Sequence, residues 1–250
     1  GSVINDSAAF LDENMTGNLN VIIKASSLSG EGGMKEPENL KDIEKLQNYL
    51  KEMEAVTSTI SITDVVKQLH KTWMDDDENY ETIPESRAKI NNLFFLYQMN
   101  EDSDVSSLIN DDNEAIVLTA LMKTFSTSDM AIFKQNIENY IQKNIYNDND
   151  DLKIEISGVM AFLADFVWLV IESSMISIVC SIIIICFIAS LFYKSFRFGI
   201  LAIIPLLAAI IINFGLMGLF GIDVTHMTAI LSSIIIGVGV DFSIHYTSEY

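Results

Sequence analysis

Ser233, Gly237, Asp241 and His245 recur every four residues through an apolar run that ends in GVGVDFSIHY. On a helix that spacing sets them in a slowly drifting row up one face, rising about 6 Å per step. A carboxylate inside hydrocarbon costs at least about 2.5 kcal/mol, so Asp241 asks for a function. The small residues of the row, with Gly239 beside it, let a neighbouring helix come close, and Asp241 then meets protein or trapped water instead of lipid. A carboxylate held in that way can gain and lose a proton as helices change partners. The chemistry is a proton relay: Asp241 takes up a proton from outside, and His245 is the candidate to pass it inward. Ser233, Gly237, Gly239 and Phe242 are the packing residues of the relay helix. Structural readings stand beside this one, with Asp241 as a hydrogen-bond partner between helices and His245 as an interfacial residue. Asp223, Thr225 and His226, at the outer end of the same segment, read as a cap or interfacial group.

Such a row needs a membrane around it, and the sequence supplies three apolar segments, at about 173–193, 198–220 and 224–248. The first two are long enough to cross about 30 Å of hydrocarbon. SIVCSIIIICFIASLF is apolar all round, with no polar face to offer water. YKSFR, 193–197, carries both basic residues of the block, which places that loop in the cytoplasm and the 221–223 link outside. Pro205 predicts a bend in the second span, and Gly215, Gly218 and Gly221 serve packing. A helical stretch from about Val159 leads into the first span without a break, so the preceding domain can move the membrane helix.

That domain reads as two strand–helix–strand units. In the first, Leu19, Val21 and Ile23 alternate, Pro37 opens a helix with Leu40, Ile43, Leu46, Leu50 and Met53 on one stripe, and Val56, Ser58, Ile60 and Ile62 alternate again. Two helical stretches follow, one over 63–73 and one opened by Pro84 with Ile90, Leu93, Phe94 and Tyr97 on its buried face. In the second unit Ile116, Leu118, Ala120 and Met122 alternate, Ser128 caps a helix carrying Phe133, Ile137, Ile141 and Ile145, and Leu152, Ile154 and Ile156 form the last strand. The fold class is α+β: a ferredoxin-like, split βαβ domain with a helical insert over 1–158, then an α-helical transmembrane segment over 159–250. NDNDD, 147–151, reads as a turn. Leu93, Phe94, Phe95 and Tyr97 read as core rather than as a substrate passage.

Charge divides the chain in the same place. Of 15 basic and 34 acidic side chains, only Lys194, Arg197 and five carboxylates lie from Asp165 onward. The strongly acidic first part excludes nucleic acid as a partner. The acid run Asp75, Asp76, Asp77 and Glu78 lacks the alternating ligands and glycine of a calcium loop and reads as a solvated loop. GEGGMK, 30–35, lacks the spacing and ending of a nucleotide-binding loop. Cys180 and Cys186 are six apart on one helix, on different faces, so no disulfide or metal spacing exists. No cofactor, metal or catalytic residue is expected, and the chain is not read as an enzyme. The first residues show no signal peptide, and both ends read as cuts in a longer polypeptide.

SGVMAFLADFVWLVIESSMISI, SFRFGILAIIPLL and GLFGIDVTHMTAILSSIIIGVGVDFSIHYTSEY resemble the second to fourth transmembrane helices of the resistance-nodulation-division superfamily, in its MMPL-type branch of exporters. The resemblance is strongest over about 155–250 and extends to the preceding domain by topology, since that family's extracytoplasmic porter domains are ferredoxin-like. It implies a multi-pass exporter of the inner (plasma) membrane, driven by protons and moving lipids or other hydrophobic compounds. It further implies two homologous halves of six helices, so the partners are protons, the substrate, and a missing second half or second subunit. The family's relay places an Asp followed by an aromatic residue on the fourth helix, matching Asp241 and Phe242; where many members have Tyr, Phe242 lacks the hydroxyl. Two other readings compete: a SecD-like accessory factor for protein translocation, and a Patched-like protein that senses sterol or lipid without pumping. The paired strand–helix–strand units favour the exporter, and the lack of disulfide-forming cysteines in the soluble domain disfavours a eukaryotic surface protein.

Overall fold

The structure is a computed structural model that describes Phe10 and residues 17–98, 107–124, 126–192 and 194–222, with six scattered positions beyond. It divides into two compact units, Gly1–Leu163 and Ala164–Tyr250.

The first unit is α+β, built on one four-stranded antiparallel sheet. Its strands are β1 (Leu19–Ser27), β2 (Val56–Ser61), β3 (Ala115–Met122) and β4 (Leu152–Ser157). They lie in the order β2-β3-β1-β4, so each unit's second strand flanks the other unit's first strand. Alternation decides which face is buried. Leu19, Val21, Ile23 and Ala25 point into the core together with Ile116, Leu118, Ala120 and Met122, and Ile23 sits opposite Leu118 on one side and Ile156 on the other.

Helix α1 (Pro37–Lys51) begins with Pro37, whose missing N–H costs nothing in the first turn. It buries Leu40, Ile43, Leu46 and Leu50 completely, each burial stabilising by about 1.5–3 kcal/mol. Met53 falls past its end and is half-buried. The second strand is shorter than its alternation suggests. A register shift between Val56 and Ser58 leaves Ile60 49% exposed. Ile62 then heads helix α2 (Ile62–Trp73), because the Ser61 hydroxyl accepts from the Thr63 N–H at 3.3 Å and caps it.

Helix α3 (Arg87–Gln98) starts three residues after Pro84, which lies buried in the connecting segment; the Ser86 carbonyl accepts the first helical bond, from Ile90. Helix α4 (Thr127–Asn144) is capped by Ser126, not by Ser128. The Ser126 hydroxyl accepts from the Asp129 N–H at 3.2 Å and donates to the Asp129 carboxylate at 2.7 Å, a reciprocal cap that Ser128, inside the first turn, is placed too late to make. On the outer edge of β4 the Tyr146 hydroxyl accepts from the Ile154 N–H at 2.8 Å.

Gly158 ends β4 with φ +96°, and a Cβ there would stand 2.9 Å from backbone atoms of Asn20 and Ile22, so only glycine fits. The Asn20 side chain accepts from the Val159 N–H at 3.1 Å. Helix α5 (Val159–Phe192) begins there and continues through 34 residues.

In the second unit α5 turns at Lys194, whose φ is +49°, into helix α6 (Phe196–Leu219). Ile178 and Leu206 form the contact between the two, flanked by Ile182, Ile185, Ile210 and Phe214. Near the turn Gly199 lies so close to Ser190 that a Cβ would overlap its hydroxyl. Helix α6 runs on through Pro205. It ends in a Schellman motif: Gly221 is left-handed at φ +63°, and the Ile222 N–H donates to the Met217 carbonyl at 2.9 Å. Nothing lies within 4 Å of a Cβ built on Gly215 or Gly218, so neither packs against the described residues.

Candidate functional site

The two helices of the second unit have the length and composition of membrane spans. Val159–Leu191 contains an 18-residue window with a mean hydropathy of 2.7, and Gly199–Leu219 one of 2.6. Ile183 is 62% exposed and Ile211 70%, and most of the apolar surface of both helices is likewise uncovered. In water that surface would be a large uncompensated cost; in hydrocarbon it is the solvated state. Of the third expected span, only Thr228, Ile230, Leu231, Ile234, Ile235 and Val238 are among the described residues, all helical.

Ser233, Gly237, Gly239, Asp241, Phe242 and His245 lie outside the described residues, and so do Asp223, Thr225 and His226. The proton-relay row therefore rests on sequence. Within the second unit the structure describes the α5–α6 hairpin. Gly199 admits Ser190, and the Cys186 carbonyl lies 3.0 Å from where a Cβ on Gly199 would stand, so α5 and α6 approach at near backbone contact. Cys180 and Cys186 are free thiols.

The first unit holds a polar centre at a stretch whose sequence reads as a turn. The Asp151 carboxylate accepts from the Ser27 hydroxyl at 2.6 Å, from the Ser29 hydroxyl at 2.6 Å, from the Ser29 N–H at 2.8 Å and from the Asn39 amide at 2.8 Å. The Asn149 amide donates to the Asn39 side-chain oxygen Oδ1 at 2.8 Å and to the Asp42 carboxylate at 2.9 Å. Burial opposes the Asp151 charge, but the hydrogen bonds from Ser27, Ser29 and Asn39 outweigh it and hold the carboxyl down at about 2. This centre ties the end of β1, the start of α1 and the start of β4 into one corner. It is fully committed to that task, with every oxygen of Asp151 occupied by the protein's own donors.

The other candidates sort the same way. Asp75 and Asp76 are exposed with left-handed φ of +58° and +59°, and Asp77 accepts from the Asn79 N–H at 3.0 Å, which is a solvated acidic turn. Among the described residues no group of three or more His, Cys, Asp or Glu is placed to hold a metal. Gly30 and Gly32 take left-handed turns, and Gly33 makes room for the Ser27 side chain while its carbonyl accepts from Asn39. Leu93 and Phe94 are core, whereas Phe95 is 60% exposed and Tyr97 half-buried, so the core reading holds for the first two and not for Phe95.

Comparison with known proteins gives two findings. The sequence profile of the MMPL family matches residues 22–250. MJ1562 of Methanocaldococcus jannaschii, named as a membrane protein, is 23% identical over 218 residues, which cover 87% of this chain and 53% of that relative. The chain thus spans about half the length of the curated relative it matches.

Proposed function

The chain belongs to the MMPL family, and from that premise we propose that it is part of a membrane exporter driven by protons, moving lipids or other hydrophobic compounds. It acts as a transporter component rather than an enzyme. The observation that carries this reading is the direct succession of a four-stranded α+β unit and two apolar helices of spanning length, inside a family match that runs through Asp241 to residue 250. The strand order β2-β3-β1-β4 supports a ferredoxin-like, split βαβ porter domain.

In this mechanism Asp241, on the third span, is charged in one helix packing and neutral in another. A proton that crosses the potential delivers about 2.3 kcal/mol per 100 mV, and each protonation state stabilises a different packing. His245 passes the proton inward, and Ser233, Gly237 and Gly239 keep the relay helix close to its neighbours. Phe242 offers bulk without a hydroxyl, so the proton path runs through other groups at that step. Lys194 and Arg197 hold the α5–α6 turn in the cytoplasm, and the acidic domain stands outside the inner membrane. The facing relay residues come from a second half or a second subunit.

The test is transport by the full-length parent in inverted vesicles, with and without a proton gradient, for wild type and Asp241→Asn. Gradient-driven movement of a lipid or dye is expected in wild type and lost in the variant. Undiminished gradient-driven movement in the variant would remove Asp241 from the relay.

A further inference from the structure

Between α2 and α3 of the first unit lies an apolar cavity of about 130 Å3. Each helix gives it one face at helical spacing: His70, Trp73 and Met74 from the end of α2, and Lys89, Asn92 and Leu93 from α3. The floor is buried and the rim is not. His70 is 8% exposed and Leu93 2%, whereas Trp73 is 53% exposed and Lys89 and Asn92 are exposed as well. The His70 Nδ1 lies 2.8 Å from the Thr82 carbonyl oxygen, a contact that fixes the ring as part of the wall. Charge at the rim departs from the rest of this acidic unit, since no carboxylate is among the residues that line the cavity. The lysines nearby are taken: Lys41 pairs with Glu85, Lys45 with Asp42, Lys67 with Glu44 and Lys71 with Glu81. The Lys89 side chain makes no ion pair among the described residues, and it borders both the cavity and the groove beside it.

We propose that this cavity binds a small amphiphile with a single carboxylate. The apolar tail fills the space between Trp73, Met74 and Leu93, and the carboxylate stays at the rim on the Lys89 ammonium, with the Asn92 amide as a second donor. The volume sets the size of the tail. An engineered apolar cavity of about 150 Å3 holds one benzene, so this one takes a single aromatic ring or a short alkyl segment, and a two-chain lipid does not fit. Burial of the tail supplies most of the affinity, because wall and tail leave water together. Charge supplies the selection. A cationic headgroup would meet Lys89, and an uncharged one would leave it without a partner. An ion pair at an exposed rim is worth little, so the carboxylate is preferred over an uncharged isostere by only about threefold to fivefold. The site goes beyond the transport reading: it lies in the first unit, and binding there requires neither Asp241 nor a proton gradient.

The chain has two tryptophans, Trp73 in the cavity wall and Trp168 on α5, so the cavity carries its own reporter. The full chain with Trp168→Phe is held in lipid nanodiscs, and Trp73 emission is followed as para-bromohydrocinnamate is added, whose bromine quenches an indole it touches. The chain with Trp73→Phe and Trp168 retained gives the background from probe dissolved in the bilayer. Saturable quenching of Trp73 is expected, with the amide of the same probe binding several times more weakly and the corresponding amine more weakly still. Lys89→Gln should bring the carboxylate down to the level of the amide and leave the amide unchanged. Quenching of Trp73 that never saturates, equal binding of carboxylate and amide, or a carboxylate preference that survives in Lys89→Gln would each overturn the site. Should Lys89→Gln fail to fold, the comparison of the three headgroups on the chain with Lys89 intact decides by itself. Transport plays no part in this readout, so a failure here is told apart from a failure of the Asp241→Asn test.

Discussion

The Asp151 carboxylate accepts four hydrogen bonds, and its consequences are measurable. Its folded pKa lies below the ordinary carboxylate value. The stabilisation it brings is therefore complete above about pH 4 and is lost as pH falls toward about 2. Denaturation followed from pH 5 to pH 2 should show that loss in wild type and a shallower one in Asp151→Asn. Asp151→Ala should cost about 1–3 kcal/mol by leaving the Ser27, Ser29 and Asn39 donors without their acceptor. Ser126→Ala should cost about 1 kcal/mol in the same assay, since its hydroxyl holds the cap. These residues also mark what the sequence could not disclose. Asp151 bonds to partners 112 to 124 positions away, and no local pattern encodes such a meeting. The choice between two serines two apart turned on which one had a carboxylate three residues ahead of it, a signal that was present but unused.

The elements themselves were legible, because burial follows the periods of strand and helix so closely here. The stripes of α1 and α4 and the alternation of β1 and β3 fill the core as their spacing suggests. Legibility failed at junctions. Alternation alone carried β2 to Ile62, whereas a bulge and the Ser61 cap hand that residue to α2. Glycines separate cleanly by what surrounds them. Gly199→Val should destabilise the α5–α6 hairpin, because its side chain must displace Ser190, while Gly215→Ala should leave the hairpin intact, because nothing stands there to be displaced. Thermal unfolding of the purified chain in nanodiscs, followed by circular dichroism, distinguishes the two. Gly158→Ala should be worse tolerated than Gly215→Ala, as it meets both a left-handed φ and the backbone of β1.

For the molecule as a whole, the division into an acidic folded unit and an apolar helical one was visible in charge and hydropathy before any coordinates. The relay row on the third span is a proposal from sequence, as its residues lie outside those described. Its orientation in the membrane can be tested by labelling. With Cys180 and Cys186 replaced by serine, a cysteine introduced at Asp150 should react with an impermeant maleimide applied to intact cells, and one at Ser195 should react only after permeabilisation. The reverse pattern would invert the proposed topology and set the acidic domain on the cytoplasmic side.

The corner closed by Asp151 also sets a schedule for biosynthesis. Ser27 must wait for a residue 124 positions later, which is about 6 to 25 s at ordinary elongation rates, and through that interval the first three strands lack the fourth that flanks β1. Because α5 starts one glycine after β4, the ribosome presents the closing strand and an apolar helix of spanning length almost together. Completion of the first unit's sheet and emergence of that helix thus fall in the same few seconds.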